Sequence, residues 1–422
     1  MIRAMLAALA ALVLSGPAQA AVEIQEITSP RGVEAWLVEE HSIPFAAIEI
    51  RFKGGASLDP GGKRGVINLM TALIEEGAGE LDAQAFSEAR DSLAASFSFD
   101  AYDDALTVSA RFLTENRDEA VALLREALVN PRFDDDAIER VRAQVLSIIR
   151  SDANDPNSIA GRAFDGLAFG EHPYGSSRNG TLESVDALTR DDIVAANKAV
   201  LTRDRVYVGA AGDITAAELG QIVDTLLSGL PETGAPLPAA ADVSLTGGVT
   251  LVPFNTPQSV ALFGHIGIKR EDPDFFPAFV ANEIFGGAGR QSRLTDEVRE
   301  KRGLTYGVGT YLANYEHADL VVGQLASAND RVAEAIQVVR QEWERIASGL
   351  VTENELEEIK TYLTGAYPLR FDGNGPIARI LVGMQMQGLT SDYITTRNDK
   401  VNAVTLEDIK RVAARVFRPD EL

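Results

Sequence analysis

Four pairs of segments recur in the same order on either side of one irregular stretch, and this duplication restricts the fold more than any single motif does. The stretch is "LPETGAPLPAAADVSLTGG", Leu230 to Gly248, rich in Pro, Ala and Gly and without helical or strand period; it reads as an interdomain linker. In the first half "AAIEIRFKGG" alternates like a strand, Asp59-Pro60 makes a turn, a helix follows, and "GAG" at Gly77 to Gly79 closes it. In the second half "SVALFGHIGI", Asp272-Pro273, "FFPAFVANEIF" and "GGAG" at Gly286 to Gly289 repeat that order. Two later helices pair as well. "FDDDAIERVRAQVL" from Phe133 matches "VTENELEEIKTYL" from Val351, each with acidic residues in the first turn, where the helix dipole favours them. "VDALTRDDIVAANKAVL" from Val185 matches "VNAVTLEDIKRVAARVF" from Val401, each with a Thr at the expected N-cap.

The expected fold is α+β: two tandem homologous domains, each an antiparallel-rich sheet with helices packed on one face. The boundaries fall at 21–230 and 249–422, joined by the linker 231–248. The first half finishes on a strand, "RVYVGAAGD"; the second reaches Leu422 before any equivalent, so either the chain is truncated there or that sheet lacks an edge strand. At 422 residues the chain suits two cores of about 150 to 200 residues each.

Residues 1–20, "MIRAMLAALAALVLSGPAQA", combine a basic start, an apolar run and an Ala-Gln-Ala cleavage signal, the pattern of a secretory peptide. The run is shorter than the roughly 18 to 20 residues that span a bilayer, so the expectation is a periplasmic protein free of the membrane once cleaved. Cysteine is absent, which excludes disulfides, thiolate zinc sites and cysteine nucleophiles. A formal charge of −23 repels phosphate backbones and argues against a nucleic-acid partner.

The tandem halves, "HPYG" at His172 to Gly175, the "VDALTRDDI" helix start and above all "SRLTDEVREKRGLTYGVGTYL" resemble the insulinase/pitrilysin peptidases, the inverzincins. Zinc-bearing members of that family carry H-x-x-E-H on the first helix of the N-terminal half and a distal glutamate one helix hairpin later. The two histidines project together and hold the metal, and the intervening glutamate activates its water. Here "RGVINLMTALIEEGAG" places Asn68, Thr71 and Ala72 at the His, Glu and His positions, and Ile148 falls at the distal glutamate. The only histidines are His41, His172, His265 and His317, no two within helical reach in sequence. His172 reads as a loop residue held by local hydrogen bonds, and Asp134 to Asp136 as a helix N-terminus, since the spacing of a calcium loop is missing.

The resemblance also implies that Arg299 and Tyr306 correspond to a pair that faces the metal across the cavity. A Tyr hydroxyl can donate to the oxyanion of an attacked peptide carbonyl, and an Arg can grip a substrate carbonyl or carboxylate. Taken without the resemblance, Arg299 is a solvated helix charge and Tyr306 a strand aromatic. Gly303 supplies the helix stop between them. Gly286, Gly287 and Gly289 lack the Lys-Ser/Thr of a phosphate loop and read as tight packing or a hinge.

These observations lead to a zinc-free subunit of a heterodimeric peptidase. A homologous partner bears H-x-x-E-H and the zinc, this chain binds no cofactor, an unfolded peptide is the substrate, and the chain alone is inert. The rival reading is a structural or peptide-binding, holdase-like protein on the same fold.

Overall fold

The computed structural model describes residues 23–287 and 291–422; residues 1–20, read above as a secretory peptide, and Gly289 lie outside them. The N-terminal half builds a six-stranded sheet from β1 (Gln25–Thr28), β2 (Glu34–Glu39), β3 (Phe45–Lys53), β6 (Ser96–Ala101), β7 (Ala105–Leu113) and β8 (Val206–Gly212), with a small hairpin of β4 (Gly77–Ala78) and β5 (Leu81–Asp82) beside it. The order is β1-β2-β8-β3-β7-β6, and only the β2/β8 pair is parallel. β8 is therefore an interior strand, not the edge strand that its place late in the half suggested. The C-terminal half pairs β9 (Gln258–Ile266), β10 (Val308–Asn314) and β11 (Asp319–Ala328) as an antiparallel sheet in the order β10-β11-β9.

Alternation along β3 shows what each sheet face meets. Ile48, Ile50 and Phe52 enter the first hydrophobic core, packed under the helices of their own half. On the opposite face Glu49 is buried, its carboxylate 3.3 Å from the Arg51 guanidinium and accepting from Ser109 Oγ at 2.5 Å. Burial holds Glu49 above the usual carboxylate range even so. That second face is covered from the other half by the helix Asn374–Met386, which lies against β2, β3 and β8. Leu381, Ile377 and Met384 of the helix join Trp36, Val38 and Ala211 of the sheet. Gly209 is required there: a Cβ on it would stand 2.7 Å from Ala378 O.

The exchange is reciprocal. Pro156–Phe169 of the N-terminal half lies on β9 of the second sheet, so each sheet carries helices of its own half on one face and one helix of the other half on the second. The second core centres on Trp343, Phe285 and Phe417, with the Phe285 and Trp343 rings meeting edge to face at 4.9 Å. The stretch read as a linker is docked into the seam: Ala241 N–H donates to His317 O at 2.8 Å, and Ser244 N–H donates to Ala168 O at 3.0 Å.

The matched helices carry matched caps. Thr189 with Asp192 and Thr405 with Asp408 both form complete capping boxes, as does Thr352 with Glu355. Asp134 is the N-cap residue of Asp135–Asp152 and pairs with Arg132 at 2.6 Å, which accounts for the acidic run without a cation. Among the described residues no helix is long and apolar enough to cross a membrane.

Candidate functional site

The helix Val66–Ala72 is only two turns long and is started by an acid that does not belong to it. Asp59 accepts from Gly65 N–H at 2.7 Å and Ile67 N–H at 2.9 Å. Burial pushes its carboxyl up to about 6 against the pull of those donors and of Arg64. On this helix Asn68 is half-buried and donates from Nδ2 to Asn179 Oδ1 at 3.3 Å; Asn179 in turn donates to Asp152 Oδ2 at 3.2 Å. Thr71 is buried and folds its hydroxyl back onto Ile67 O at 2.7 Å. Ala72 is exposed, and Ile148 of the neighbouring long helix is 51% exposed.

Amide, hydroxyl, methyl and alkyl groups stand at the four positions. None supplies an imidazole or carboxylate, so these residues do not fit a zinc ion. Among the described residues no group of three or more His, Asp and Glu is arranged to hold a metal. The chain Asn68–Asn179–Asp152 instead ties the short helix to the long one by hydrogen bonds. Asn179 was not singled out from the sequence; its one signal there is the Asn-Gly turn at 179–180.

The fold brings together two histidines that the sequence keeps far apart. The His172 and His317 rings lie 5.8 Å apart beside Tyr174. His172 accepts from Tyr174 N–H at Nδ1 and lies 3.2 Å from Ala239 O at Nε2, the local hydrogen bonding expected of it, and burial lowers its pKa. Tyr174 donates to Asp104 and accepts from His317 N–H at 3.2 Å, while Asp104 also accepts from Glu316 N–H at 3.0 Å. The "HPYG" motif therefore locks the two halves together. His265 is fully buried, its Nε2 accepting from Trp343 Nε1 and from Arg418 N–H, both at 3.2 Å. His41 is exposed and held between Asp213 and Glu39, which raise its pKa.

Arg299 lies in the last turn of the π-helical segment Thr295–Glu300, partly exposed, with Glu300 Oε1 at 3.6 Å as its one ion-pair partner among the described residues. Gly303, at φ +59°, stops the helix as expected, its N–H donating to Arg299 O at 2.8 Å. Tyr306 is not on the strand, as the alternation of "LTYGVGTYL" suggested; pairing of β10 with β11 starts at Val308. The Thr305 hydroxyl occupies the place of a ladder bond, donating to Ala326 O at 2.6 Å and contacting Gly307 O at 2.8 Å. Ser327 Oγ donates to Leu304 O at 2.6 Å, and Arg331 grips the carbonyls of Arg302 and Gly303, each at 2.9 Å. With Leu304 and Thr305 fixed inward, the next side chain turns outward: Tyr306 is 87% exposed and makes no hydrogen bond among the described residues. Gly286 is a packing glycine, since a Cβ on it would stand 2.4 Å from Thr310 Oγ1.

Two cross-packed α+β halves, a first helix without zinc-binding side chains at the expected positions and an outward Tyr306 define a peptidase-like chain with no metal-binding cluster among the described residues. Sequence profiles agree: Insulinase (Peptidase family M16) matches residues 35–181, and Peptidase M16 inactive domain matches residues 187–363. The chain belongs to peptidase family M16. It is 25% identical over 398 residues to the protein named Non-peptidase homolog YmxG of Helicobacter pylori, covering 94% of this chain and 92% of that one. It is 23% identical over 404 residues to an uncharacterized zinc protease of Streptomyces coelicolor, covering 93% and 87%. The crystal structure of a peptidase M16 inactive domain from Pseudomonas fluorescens superposes with a TM-score of 0.88 at 25% identity, covering 94% of this chain and 96% of that one.

Proposed function

We propose that this chain is the metal-free subunit of a two-subunit zinc peptidase of the periplasm, supplying substrate-binding and oxyanion-stabilising groups to a partner that bears H-x-x-E-H. The observation that carries this reading is Tyr306: a phenol with no hydrogen-bond partner among the described residues, turned outward between Leu304 and Thr305, fastened on one side, and the strand pairing that begins at Val308 on the other. Packing gives no reason to fix a residue so firmly and leave its hydroxyl unused. A phenol pre-positioned in this way donates to a developing oxyanion without reorganising. Among the described residues Arg299 has one ion-pair neighbour, Glu300 at 3.6 Å, which leaves its guanidinium available to a substrate carbonyl or carboxylate. Neither residue generates a nucleophile, so hydrolysis depends on the partner, and this chain alone is inert.

The test is co-expression with an exported homologue carrying H-x-x-E-H, followed by assay of quenched peptides and of zinc content. Activity confined to the mixture, falling about 100-fold or more with Tyr306→Phe, supports the shared site. Equal activity from the partner alone sinks it. The name of the Helicobacter relative favours a second reading, a non-proteolytic peptide-binding protein on the same fold. In that case the mixture binds unfolded peptide without cleaving it.

A further inference from the structure

A second constellation of charge lies in a cavity of about 440 Å³ in the C-terminal half, walled by the helices Phe275–Asn282, Asn374–Met386 and Tyr393–Asn402 and by β10. Three arginines from three separate segments converge on it: Arg270 from the loop after β9, Arg370 from the 3-10 turn Tyr367–Phe371, and Arg397 from the helix Tyr393–Asn402. None of the three forms an ion pair among the described residues, although the chain carries 62 acidic residues against 39 basic ones.

Aromatic rings hold two of the three guanidinium groups, those of Arg270 and Arg397, in place. Arg270 Cζ lies 4.1 Å from the centroid of Phe275, and its Nη2 donates to Tyr393 OH at 2.6 Å. Arg397 Cζ lies 4.6 Å from the centroid of Tyr367, and its Nη1 donates to Leu363 O at 2.9 Å. Ring faces and neutral oxygens orient a cation but do not cancel its charge. One carboxyl lines the cavity, Glu283. Burial pushes it up to about 7 against the pull of Arg397 and Arg370, so near neutrality it is an incomplete counter-ion and, when protonated, a hydrogen-bond donor. The result is an aromatic-walled hollow of ligand size whose positive charge is only partly compensated.

We propose that this cavity binds a carboxylate carried on an apolar body, either a free organic acid or the C-terminus of a peptide. A planar carboxylate matches the guanidinium fork, the ring-lined walls take the apolar body, and protonated Glu283 donates to a carboxylate oxygen. The site uses neither Arg299 nor Tyr306 and stands whether or not the chain serves a peptidase.

Calorimetry on the full chain at pH 7 tests it with 3-phenylpropionate, 3-phenylpropanamide, phenyl phosphate, and Ala-Ala-Phe with a free or amidated C-terminus. The free acids are expected to bind at least tenfold tighter than the matching amides. Preference for the tripeptide acid over 3-phenylpropionate identifies a peptide terminus as the ligand, and the reverse identifies a small acid. Arg370→Gln removes an exposed cation that makes no side-chain hydrogen bond among the described residues; it is expected to weaken acid binding about tenfold with an unchanged melting temperature. Arg270→Lys, which keeps charge but loses the fork, is expected to weaken it less. Equal binding of acids and amides, no binding at millimolar concentration, or binding of phenyl phosphate alone would overturn the proposal; the acid/amide comparison needs no variant to fold.

Discussion

In the N-terminal half β3 has a neighbour on each side, β7 and β8, whereas its counterpart β9 in the C-terminal half pairs with β11 alone among the described residues. The helical parts of the two halves match far better. Thr189 and Thr405 make the same capping box at the start of the same helix, and each half lends one helix to the other's sheet. The difference shows that duplicated sequence constrains local, helix-encoded structure strongly and sheet membership weakly, because a strand's neighbours are chosen by chain that lies far away. Chemistry divides along the same line: the half with the complete sheet carries the blank metal helix, and the half with the smaller sheet carries Arg299, Tyr306 and the arginine-lined cavity.

The largest effect is expected where the halves exchange helices. Leu381→Ala empties a fully buried position between a C-terminal helix and the N-terminal sheet and should cost ~2–5 kcal/mol. If cross-packing couples the halves, wild type unfolds in one calorimetric transition and the variant begins to separate into two. Two well-resolved transitions in the wild type would break the comparison.

Glu283→Gln should act next, with a sign fixed by linkage. The folded-state pKa of Glu283, about 7, lies above the ordinary 4.5, so the native state holds a proton that the unfolded state has released. Stability from this group is therefore full below the unfolded value and is lost as pH rises through about 7. The Gln variant should gain of order 1–3 kcal/mol at pH 8 and nothing at pH 4, read from urea midpoints at the two pH values.

Smaller effects probe the repeat itself. Thr189→Ala and Thr405→Ala each remove one capping box and should each cost about 1 kcal/mol. A cost confined to one half would show that only one of the matched helices is marginal. The smallest effect is expected at the site: Tyr306→Phe should leave the unfolding free energy within about 0.5 kcal/mol of wild type, because an exposed phenol with no hydrogen-bond partner among the described residues adds nothing to folding. A measurable stability loss there would assign Tyr306 a packing role and remove the reason to read it as functional.

The helices were legible because their signals are local. A Thr followed three residues later by an acid announces the capped starts at Thr189, Thr352 and Thr405, and the strands of "AAIEIRFKGG" and "SVALFGHIGI" lie where their alternation places them. The blank positions Asn68, Thr71, Ala72 and Ile148 could be read as well, since a missing imidazole needs no geometry. Tyr306 shows where this kind of reading stops: its alternation continues that of β10, yet a hydroxyl from Thr305 to Ala326, twenty-one residues away, ends the pairing and turns the phenol out.

By itself the sequence determined the duplication, the α+β character, the helix caps and the loss of metal-binding groups, since each depends on residue type and on spacings within a few turns. Only the tertiary structure decided that β8 lies inside its sheet, that the halves trade helices, that His172 meets His317, and that Arg270, Arg370 and Arg397 share one hollow. The physical reason is that these outcomes are set by which distant surfaces bury one another, and burial between remote segments leaves no period in the chain that forms it.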